Sequence, residues 1–274
     1  HVLTRVTVKQ MSGKSIRMER IIDRRSHNAV IVPLDHGISM GPLEGLIDMK
    51  KTVNDIAAGG ATAVIEQKGM VNAGHRNNGR DIGLILHLSA STDIGSSSNE
   101  KVLVATVEEA IKMGADAVSV QVNFGAASEP QMIRDAGQVS RECADWGMPL
   151  IVMAYPRGPT VKNAYDPKLI AHAARAAAEL GADIVKVNYT GEISSFSRVV
   201  DGAEVPVVIA GGPKMGSDLE ILNMVHDSLA AGGHGVSIGR NVFQHRNVRG
   251  ITAAISQLVT HGRTVNRALE ELKQ

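Results

Sequence analysis

A lysine lies in the middle of an apolar run of this chain. Residues 183–188 read DIVKVN, and Lys186 is flanked by Val185 and Val187. An ammonium group denied water costs free energy, so such a lysine either reaches the surface or supplies an amine inside a dry site. A dry amine can attack a carbonyl and form a Schiff base. The alternatives are a charge pair with a buried carboxylate and simple solvation at the end of a strand.

Schiff-base chemistry also needs groups that move protons, and two residues of suitable type end other apolar runs. Asp35 could take a proton from a substrate hydroxyl; the alternative is a turn aspartate that bonds backbone amides. Tyr155, one of three tyrosines, could donate a proton through its phenol; the alternative is an aromatic ring packed at a rim. His36 could assist, although we favour a structural histidine beside a turn.

Composition narrows the class of partner. The 274 residues contain 29 Lys and Arg against 28 Asp and Glu, which predicts neither nucleic-acid binding nor attraction to an anionic membrane. A single cysteine, Cys143, and ten histidines without an HxH or HExxH pattern predict no metal site. No apolar run approaches the ~20 residues of a membrane span. We therefore expect a cytoplasmic protein that acts on small metabolites.

The elements that position these residues follow a repeating pattern in which a helical segment ends in glycine and an apolar run follows. This junction occurs at AAGGATAV (57–64), KMGADAV (112–118), ELGADIV (179–185) and AAGGHGV (230–236). The pattern and the remaining apolar runs predict eight strands, near 29–35, 61–67, 82–88, 117–123, 149–155, 183–188, 205–210 and 235–239. Eight strands alternating with helices over about 250 residues favour a closed (β/α)8 TIM barrel over an open doubly wound sheet.

We expect one domain over residues 1–274, with the barrel at 29–260 between an N-terminal extension (1–28) and a C-terminal helix (261–274). Amphipathic helices are predicted within SIRMERIIDRR (15–25) and TVNRALEELK (264–273), where they would cap the bottom of the barrel or contact another subunit. A further helix is predicted over 166–180, with Asp166 as N-cap and Pro167 at the first helical position. The polar stretch 89–99 is either part of a lid or a mobile loop.

Active sites of this barrel lie at the carboxyl ends of the strands. The sequence places polar residues there, at Asp35–Gly37, Glu66–Gly69, Tyr155–Gly158, Lys186–Thr190, Gly211–Lys214 and Gly239–Asn241. The glycines after the last two strands predict a phosphate cradle made of Gly211, Gly212, Gly239 and Arg240. The alternative reading of these glycines is tight-turn geometry.

Alternation along the sixth strand directs Val185 and Val187 toward the helices and Ile184, Lys186 and Asn188 into the barrel. Burial there disfavours the ammonium form and leaves a fraction of free amine near neutral pH. The position of Lys186 in the predicted barrel is thus compatible with Schiff-base chemistry, while a charge pair with an inward carboxylate and solvation at the barrel mouth stay open as alternatives.

Five stretches carry a resemblance to a known family: VPLDHGISMGP (32–42), MAYPRG (153–158), DIVKVNYTG (183–191), AGGPK (210–214) and GRNVFQH (239–245). They resemble the archaeal class I aldolases of the DhnA type over nearly the whole chain. Three more stretches resemble a branch of synthases more than the fructose-bisphosphate aldolases: GLIDMKKTVNDIAAGGATAV (45–64), GRDIGLILHLS (79–89) and VRGITAAI (248–255).

The resemblance implies roles for single residues. Lys186 stands at the Schiff-base position, Tyr155 at the proton donor and Asp35 at the proton acceptor. The stretches implied to contact substrate are Asp35, His36, Gly37, Ile38 and Ser39, then Tyr155, Pro156 and Arg157, and finally Gly211, Gly212, Gly239 and Arg240. The family also implies a homo-oligomer, a decamer built from rings.

The activity implied is a transaldol reaction in aromatic amino acid biosynthesis. A unit derived from a deoxyketohexose phosphate would be joined to L-aspartate semialdehyde, without a metal or organic cofactor, because the protonated imine is itself the electron sink. One alternative is fructose-1,6-bisphosphate aldolase, which uses the same residues. A second alternative, a non-catalytic phosphosugar sensor, predicts loss of the lysine or its acid and base partners, and all three residues are present.

Overall fold

The computed structural model describes residues 12–74 and 81–273. Eight parallel strands form a closed barrel, in the order β1-β10-β9-β8-β7-β6-β3-β2, which confirms the predicted TIM barrel. The barrel strands are β1 (Ala29–Pro33), β2 (Ala63–Glu66), β3 (Gly83–His87), β6 (Ala117–Phe124), β7 (Leu150–Pro156), β8 (Ile184–Asn188), β9 (Val207–Ala210) and β10 (Gly235–Ser237). Two shorter strands, β4 (Ser89–Ala90) and β5 (Val102–Leu103), form a separate antiparallel hairpin.

Helices follow the strands and cover the barrel. They are α1 (Ser12–Ile21), α2 (Gly37–Met40), α3 (Met49–Ala58), α4 (Val71–Gly74), α5 (Val107–Lys112), α6 (Glu129–Trp146), α7 (Pro167–Glu179), α8 (Ile193–Ala203), α9 (Asp218–Ala230), α10 (Arg240–Phe243), α11 (Val248–His261) and α12 (Val265–Leu272). Asp166 caps α7 as predicted, because its side chain accepts a hydrogen bond of 2.8 Å from the amide of Lys168. None of the helices in the described ranges is long and apolar enough to cross a membrane.

Strand alternation divides the apolar core into two layers. One fills the barrel and includes Ile31, Ile85 and Ile184. The other lies between the strands and the helices and includes Val185 and Val187. This division confirms that the odd and even positions of β8 face opposite sides, as the sequence predicts. Lys186 therefore follows Ile184 on the inner side.

The predicted N-terminal helix caps the barrel at the start of its strands. Ile21 of α1 is fully buried and packs with the residues that fill the barrel. Arg20 forms an ion pair of 2.7 Å with Asp116, which precedes β6, and Lys14 forms one of 2.9 Å with Asp183, which precedes β8. Helix α1 therefore caps the bottom of the barrel.

The C-terminal helix α12 has a different place. It packs against α9 and α11 in the outer layer, and its Ala268 is fully buried there. Its prediction as an amphipathic helix over 264–273 is confirmed within one or two residues at each end. The apolar face of α12 packs on these two helices, so α12 does not cap the bottom of the barrel.

The polar stretch 89–99 comprises β4 and most of the loop of the β4–β5 hairpin, which lies between β3 and β6 in the chain. Hydrogen bonds fix this loop to neighbouring segments. Ser39 Oγ donates to the Ser91 carbonyl at 2.9 Å, the Asp93 amide donates to the Ser39 carbonyl at 2.9 Å, and Asn123 Nδ2 donates to the Asn99 carbonyl at 2.7 Å. The stretch thus lines one side of the barrel mouth and is held there by several hydrogen bonds.

Candidate active site

The carboxyl ends of the strands enclose a cavity of about 210 Å³. All three predicted catalytic residues line it, as do His36, Ile38, Ser39, Arg157 and Arg240 of the predicted binding set. Five predicted binding residues do not line this cavity: Gly37, Pro156, Gly211, Gly212 and Gly239. Further lining groups come from barrel strands, the residues that follow them and the hairpin: Gln67, His87, Ser89, Asp93, Ser98, Asn99, Lys101 and Gln121.

Lys186 reaches this cavity from the inner face of β8. Its residue is 6% exposed, and its register neighbours are Met153 on β7 and Val208 on β9, both part of the layer inside the barrel. Within the described ranges the ammonium group has no hydrogen bond or ion pair. The charge-pair alternative therefore lacks a partner in that part of the chain, and the amine is directed at whatever occupies the cavity.

Asp35 lies beyond the end of β1, between two histidines. Its Oδ1 is 3.5 Å from His36 Nδ1 and its Oδ2 is 3.7 Å from His87 Nε2. Burial alone would raise the pKa of Asp35, but the electrostatic attraction of His87, His36 and Lys186 outweighs it, and the net pKa is lowered. In the described part of the chain no other residue's amide donates to this carboxylate, unlike in an aspartate turn. Asp35 is therefore an ionised carboxylate that can accept a proton.

His87 was not predicted to belong to the site. It ends β3 on the same side as Ile85, it is 3% exposed, and its Nδ1 lies 2.8 Å from Ser119 Oγ on the adjacent β6. Burial lowers the pKa of His87 to about 4, so the ring is neutral at neutral pH. At 3.7 Å the Nε2 makes no hydrogen bond with Asp35, but the negative charge of the carboxylate favours the tautomer with the proton on Nε2, in which Nδ1 accepts from the Ser119 hydroxyl.

Tyr155 lies on β7, two residues beyond Met153, which is the register neighbour of Lys186. The Tyr155 side chain is therefore one layer closer to the barrel mouth than that of Met153. It is 5% exposed and packs with the apolar side chains inside the barrel. The guanidinium carbon of Arg157 lies 4.4 Å from the centre of its ring, which is cation–π geometry. This contact fixes the ring at the cavity and holds Arg157 beside it.

The glycines after β9 and β10 are explained in part by packing. A Cβ atom on Gly211 would lie 2.6 Å from Cγ2 of Ile238, and one on Gly239 would lie 2.6 Å from Cε1 of His36. Gly212 has a φ of +66°, a conformation that favours glycine. The tight-geometry alternative thus accounts for these glycines, whether or not a phosphate also binds.

Arg240 connects the two glycine loops. Its Nη2 donates to the Gly212 carbonyl at 3.1 Å, while its buried Nε has no partner in the described ranges. Gly211 and Gly212 line a neighbouring pocket of about 370 Å³ together with Tyr165, Tyr189 and Met215. The predicted phosphate cradle is therefore divided. Arg240 lines the main cavity, and Gly211 and Gly212 line the neighbouring pocket.

Glu66 lies outside the cavity although it ends β2. Ala63 and Ile65 face the inside of the barrel, so Glu66 faces the helices, where it is fully buried. Neither carboxylate oxygen has a hydrogen-bond partner in the described part of the chain. Burial raises the pKa of Glu66 to about 8, so this carboxyl group is protonated at neutral pH.

A parallel barrel with a buried lysine, a carboxylate and a tyrosine at its carboxyl end is the arrangement of a Schiff-base aldolase. Residues 29–245 match the family model of the DeoC/LacD family aldolases. The chain belongs to this family, and the resemblance to class I aldolases is confirmed.

Two relatives and one solved structure show which aldolases of this family the chain is similar to. The chain is 43% identical to the 2-amino-3,7-dideoxy-D-threo-hept-6-ulosonate synthase of Halobacterium salinarum, over 90% of this chain and 92% of that protein. It is 38% identical to the 2-amino-4,5-dihydroxy-6-oxo-7-(phosphonooxy)heptanoate synthase of Streptomyces griseus, over 92% of both chains. A Schiff-base-forming fructose-1,6-bisphosphate aldolase has a TM-score of 0.84 and 33% identity, over 90% of this chain and 99% of that one.

Proposed function

We propose that this protein is a 2-amino-3,7-dideoxy-D-threo-hept-6-ulosonate synthase that works through a Schiff base on Lys186. Its donor is 6-deoxy-5-ketofructose 1-phosphate and its acceptor is L-aspartate semialdehyde. The observation that carries the proposal is the amine of Lys186, which has no partner among the described residues and lies in a cavity that also holds an ionised carboxylate and a buried phenol. The high identity to a synthase of this name supports the choice within the family.

The reaction begins when the free amine of Lys186 attacks the C5 ketone of the donor. A carbinolamine forms, Tyr155 donates a proton to its hydroxyl, and water leaves to give a protonated imine. Asp35 then takes the proton of the C3 hydroxyl. The C3–C4 bond breaks, its electrons move into the imine to form an enamine, and C1–C3 leave as hydroxypyruvaldehyde phosphate.

The second half reverses these steps with a new aldehyde. The enamine carbon attacks the aldehyde of the semialdehyde, and the new alkoxide receives the proton held by Asp35. Water adds to the regenerated protonated imine and its released proton returns to the phenolate of Tyr155; the carbon–nitrogen bond of the carbinolamine then breaks, and the product leaves with Lys186 free. Each proton moved in the first half is moved back in the second. One carbon–carbon bond breaks and one forms with the same electron pair, so the cycle needs no external oxidant or reductant.

β9 is the neighbour of β8 in the barrel and β10 is the neighbour of β9. We therefore propose that Arg240 and the loops of Gly211, Gly212 and Gly239 lie on the side of the site that holds the unit which stays on the lysine. In fructose 1,6-bisphosphate the retained unit carries the C1 phosphate, which a guanidinium binds well. In 6-deoxy-5-ketofructose 1-phosphate the retained unit ends in a methyl group instead. The phosphate of this donor is on the departing half and has to bind elsewhere in the cavity.

Fructose-1,6-bisphosphate aldolase is the second candidate, and the structural similarity to a Schiff-base-forming aldolase of that activity favours it. The two functions are separated by incubating the protein with fructose 1,6-bisphosphate alone and with the deoxyketohexose phosphate plus aspartate semialdehyde. We expect efficient turnover of the second mixture. Efficient turnover of fructose 1,6-bisphosphate alone would reverse the ranking.

A further inference from the structure

The β4–β5 hairpin brings charged residues to the cavity, and its base lies across the barrel from the loops after β9 and β10. The hairpin lies in the chain between β3 and β6, which are neighbours in the barrel. Counted around the eight strands, the gap between β3 and β6 is directly opposite the gap between β9 and β10. A substrate that bridges the mouth therefore has one end near Arg240 and the other near the hairpin.

Two cations converge at the hairpin side without a carboxylate partner in the described ranges. Lys101 and Arg157 both line the cavity. Burial and the positive charge of Arg157 lower the pKa of Lys101, against the weaker attraction of Asp35 and Asp93. Two like charges held together in this way favour an anion between them.

The position of Lys101 is fixed by the hairpin itself. Its Nζ donates to Ser91 Oγ at 2.5 Å, and Ser91 Oγ donates to the Ser98 carbonyl at 2.7 Å. Arg157 is held by its contact with the ring of Tyr155. Both cations are therefore placed before a substrate arrives, which reduces the entropy lost on binding.

A negative charge lies beside these cations. Asp93 and Asp35 are the carboxylates among the described residues that line the cavity. Asp35 is placed between two histidines and serves as the base. Asp93 is exposed, and its backbone amide is bonded to the Ser39 carbonyl at 2.9 Å, so its carboxylate is available to a ligand.

We propose that Lys101 and Arg157 bind the anionic group of the half of the substrate that exchanges, and that Asp93 binds the ammonium of the acceptor. The proposal rests on the proposed function. The cationic pair would hold the phosphate of the departing aldehyde first and the carboxylate of the incoming α-amino semialdehyde second. Asp93 would select the acceptor, because the departing half has no ammonium group.

The test compares two acceptors that differ only in the amine, L-aspartate semialdehyde and succinic semialdehyde. A charge-assisted hydrogen bond lost in a site of this kind changes binding roughly ten- to a hundredfold. In Asp93→Asn the ratio of kcat/KM for the aminated over the deaminated acceptor should therefore fall by roughly tenfold or more. Lys101→Met should lower kcat/KM for both acceptors by similar factors.

Matched controls come from the exposed pair Glu108 and Lys112 on α5, whose side chains form an ion pair of 2.7 Å away from the cavity. Glu108→Gln and Lys112→Met should leave kcat/KM for both acceptors unchanged. An unchanged acceptor ratio in Asp93→Asn, or an unchanged kcat/KM in Lys101→Met, would overturn the proposal.

A binding measurement separates this proposal from the proposed function. L-homoserine has the amino-acid head of the acceptor but an alcohol in place of the aldehyde, so it can bind without reacting. Calorimetry should show its affinity falling roughly ten- to a hundredfold in Asp93→Asn and in Lys101→Met. If the wild type makes no heptulosonate yet binds homoserine through these residues, the proposed function fails alone; if neither variant weakens homoserine binding, this inference fails.

Discussion

His87 Nε2 faces Asp35 Oδ2 at 3.7 Å, while His87 Nδ1 is bonded to Ser119 Oγ at 2.8 Å. The distance to Asp35 exceeds a hydrogen bond, but a buried N–H dipole at this range still favours the carboxylate. The pair therefore links the base of the site to a buried hydroxyl on β6. His87 is a positioning residue, since it acts on the reaction through Asp35.

Replacing His87 should change the pH dependence of catalysis. Asp35 accepts a proton only when ionised, so kcat/KM falls as the pH drops through the pKa of Asp35. Removing His87 removes an attraction that lowers this pKa, so in His87→Leu the acid limb of the kcat/KM profile should move to higher pH. His87→Gln keeps an N–H near the same place and should restore much of the wild-type profile. An acid limb that stays in place in His87→Leu would contradict the role.

Removing the acid or the base should slow turnover while leaving the amine able to react. Asp35→Asn and Tyr155→Phe should lower kcat by ~10²- to 10⁴-fold, the usual contribution of a general acid or base. Both variants should still give a borohydride-trapped adduct with the donor, formed more slowly. Asp145→Asn, at an exposed aspartate of α6, is the control. A loss below about tenfold in both variants would mean that other groups move the protons.

Arg240 should matter most for a ketose whose retained unit carries a phosphate. In Arg240→Ala the concentration of dihydroxyacetone phosphate that half-saturates borohydride trapping should rise roughly ten- to a hundredfold, because a charge-assisted bond is lost. Arg246→Ala, at an exposed arginine in the same segment, is the control and should have no effect. An unchanged half-saturation in Arg240→Ala would place the phosphate away from the loops after β9 and β10.

Glu66 should make the fold less stable at alkaline pH. Its pKa is about 8 in the folded protein against an ordinary value of 4.5, so the folded state binds the proton more tightly than the unfolded state. The resulting stability is fully present below about pH 4.5 and is lost as the pH rises through about 8. Glu66→Gln removes this titration. Its stability relative to wild type should improve by about 3 kcal/mol from pH 6 to pH 9.

Urea unfolding at the two pH values measures this difference. The variant and the wild type are compared at each pH, so effects of other titrating groups cancel. An equal difference in unfolding free energy at pH 6 and pH 9 would show that Glu66 is already ionised, or hydrated, in the folded protein.

Much of the barrel and the position of Lys186 could be predicted from the sequence, because both depend on local patterns. Glycines at the ends of helices indicated the junctions between helices and strands. Alternation along a single strand predicted that Lys186 faces the inside of the barrel. The ends of the strands differ from prediction by one or two residues, because a strand ends where its ladder of hydrogen bonds ends. For example, β1 ends at Pro33, and Asp35 lies beyond it.

The partners of Lys186 that come from distant segments were harder to find. His87 belongs to an apolar run, GLILHL, and its role depends on its register with Ser119 and its approach to Asp35, both tertiary facts. Its position at a strand end, on the same side as Ile85, is the signal that could have indicated it. Lys101 and Asp93 line the cavity because hydrogen bonds with Ser39 and Asn123 fix the path of the hairpin.

The most direct test of the account is to reduce the enzyme with borohydride in the presence of 6-deoxy-5-ketofructose 1-phosphate and to locate the adduct by peptide mass spectrometry. Among the described residues, two lysines line the cavity, Lys186 and Lys101, so the measurement discriminates between them. We predict one adduct, on Lys186, and none in a folded Lys186→Ala variant, whose folding is checked by circular dichroism. An adduct on Lys101, or trapping that persists in Lys186→Ala, would contradict the assignment of Lys186 as the Schiff-base lysine.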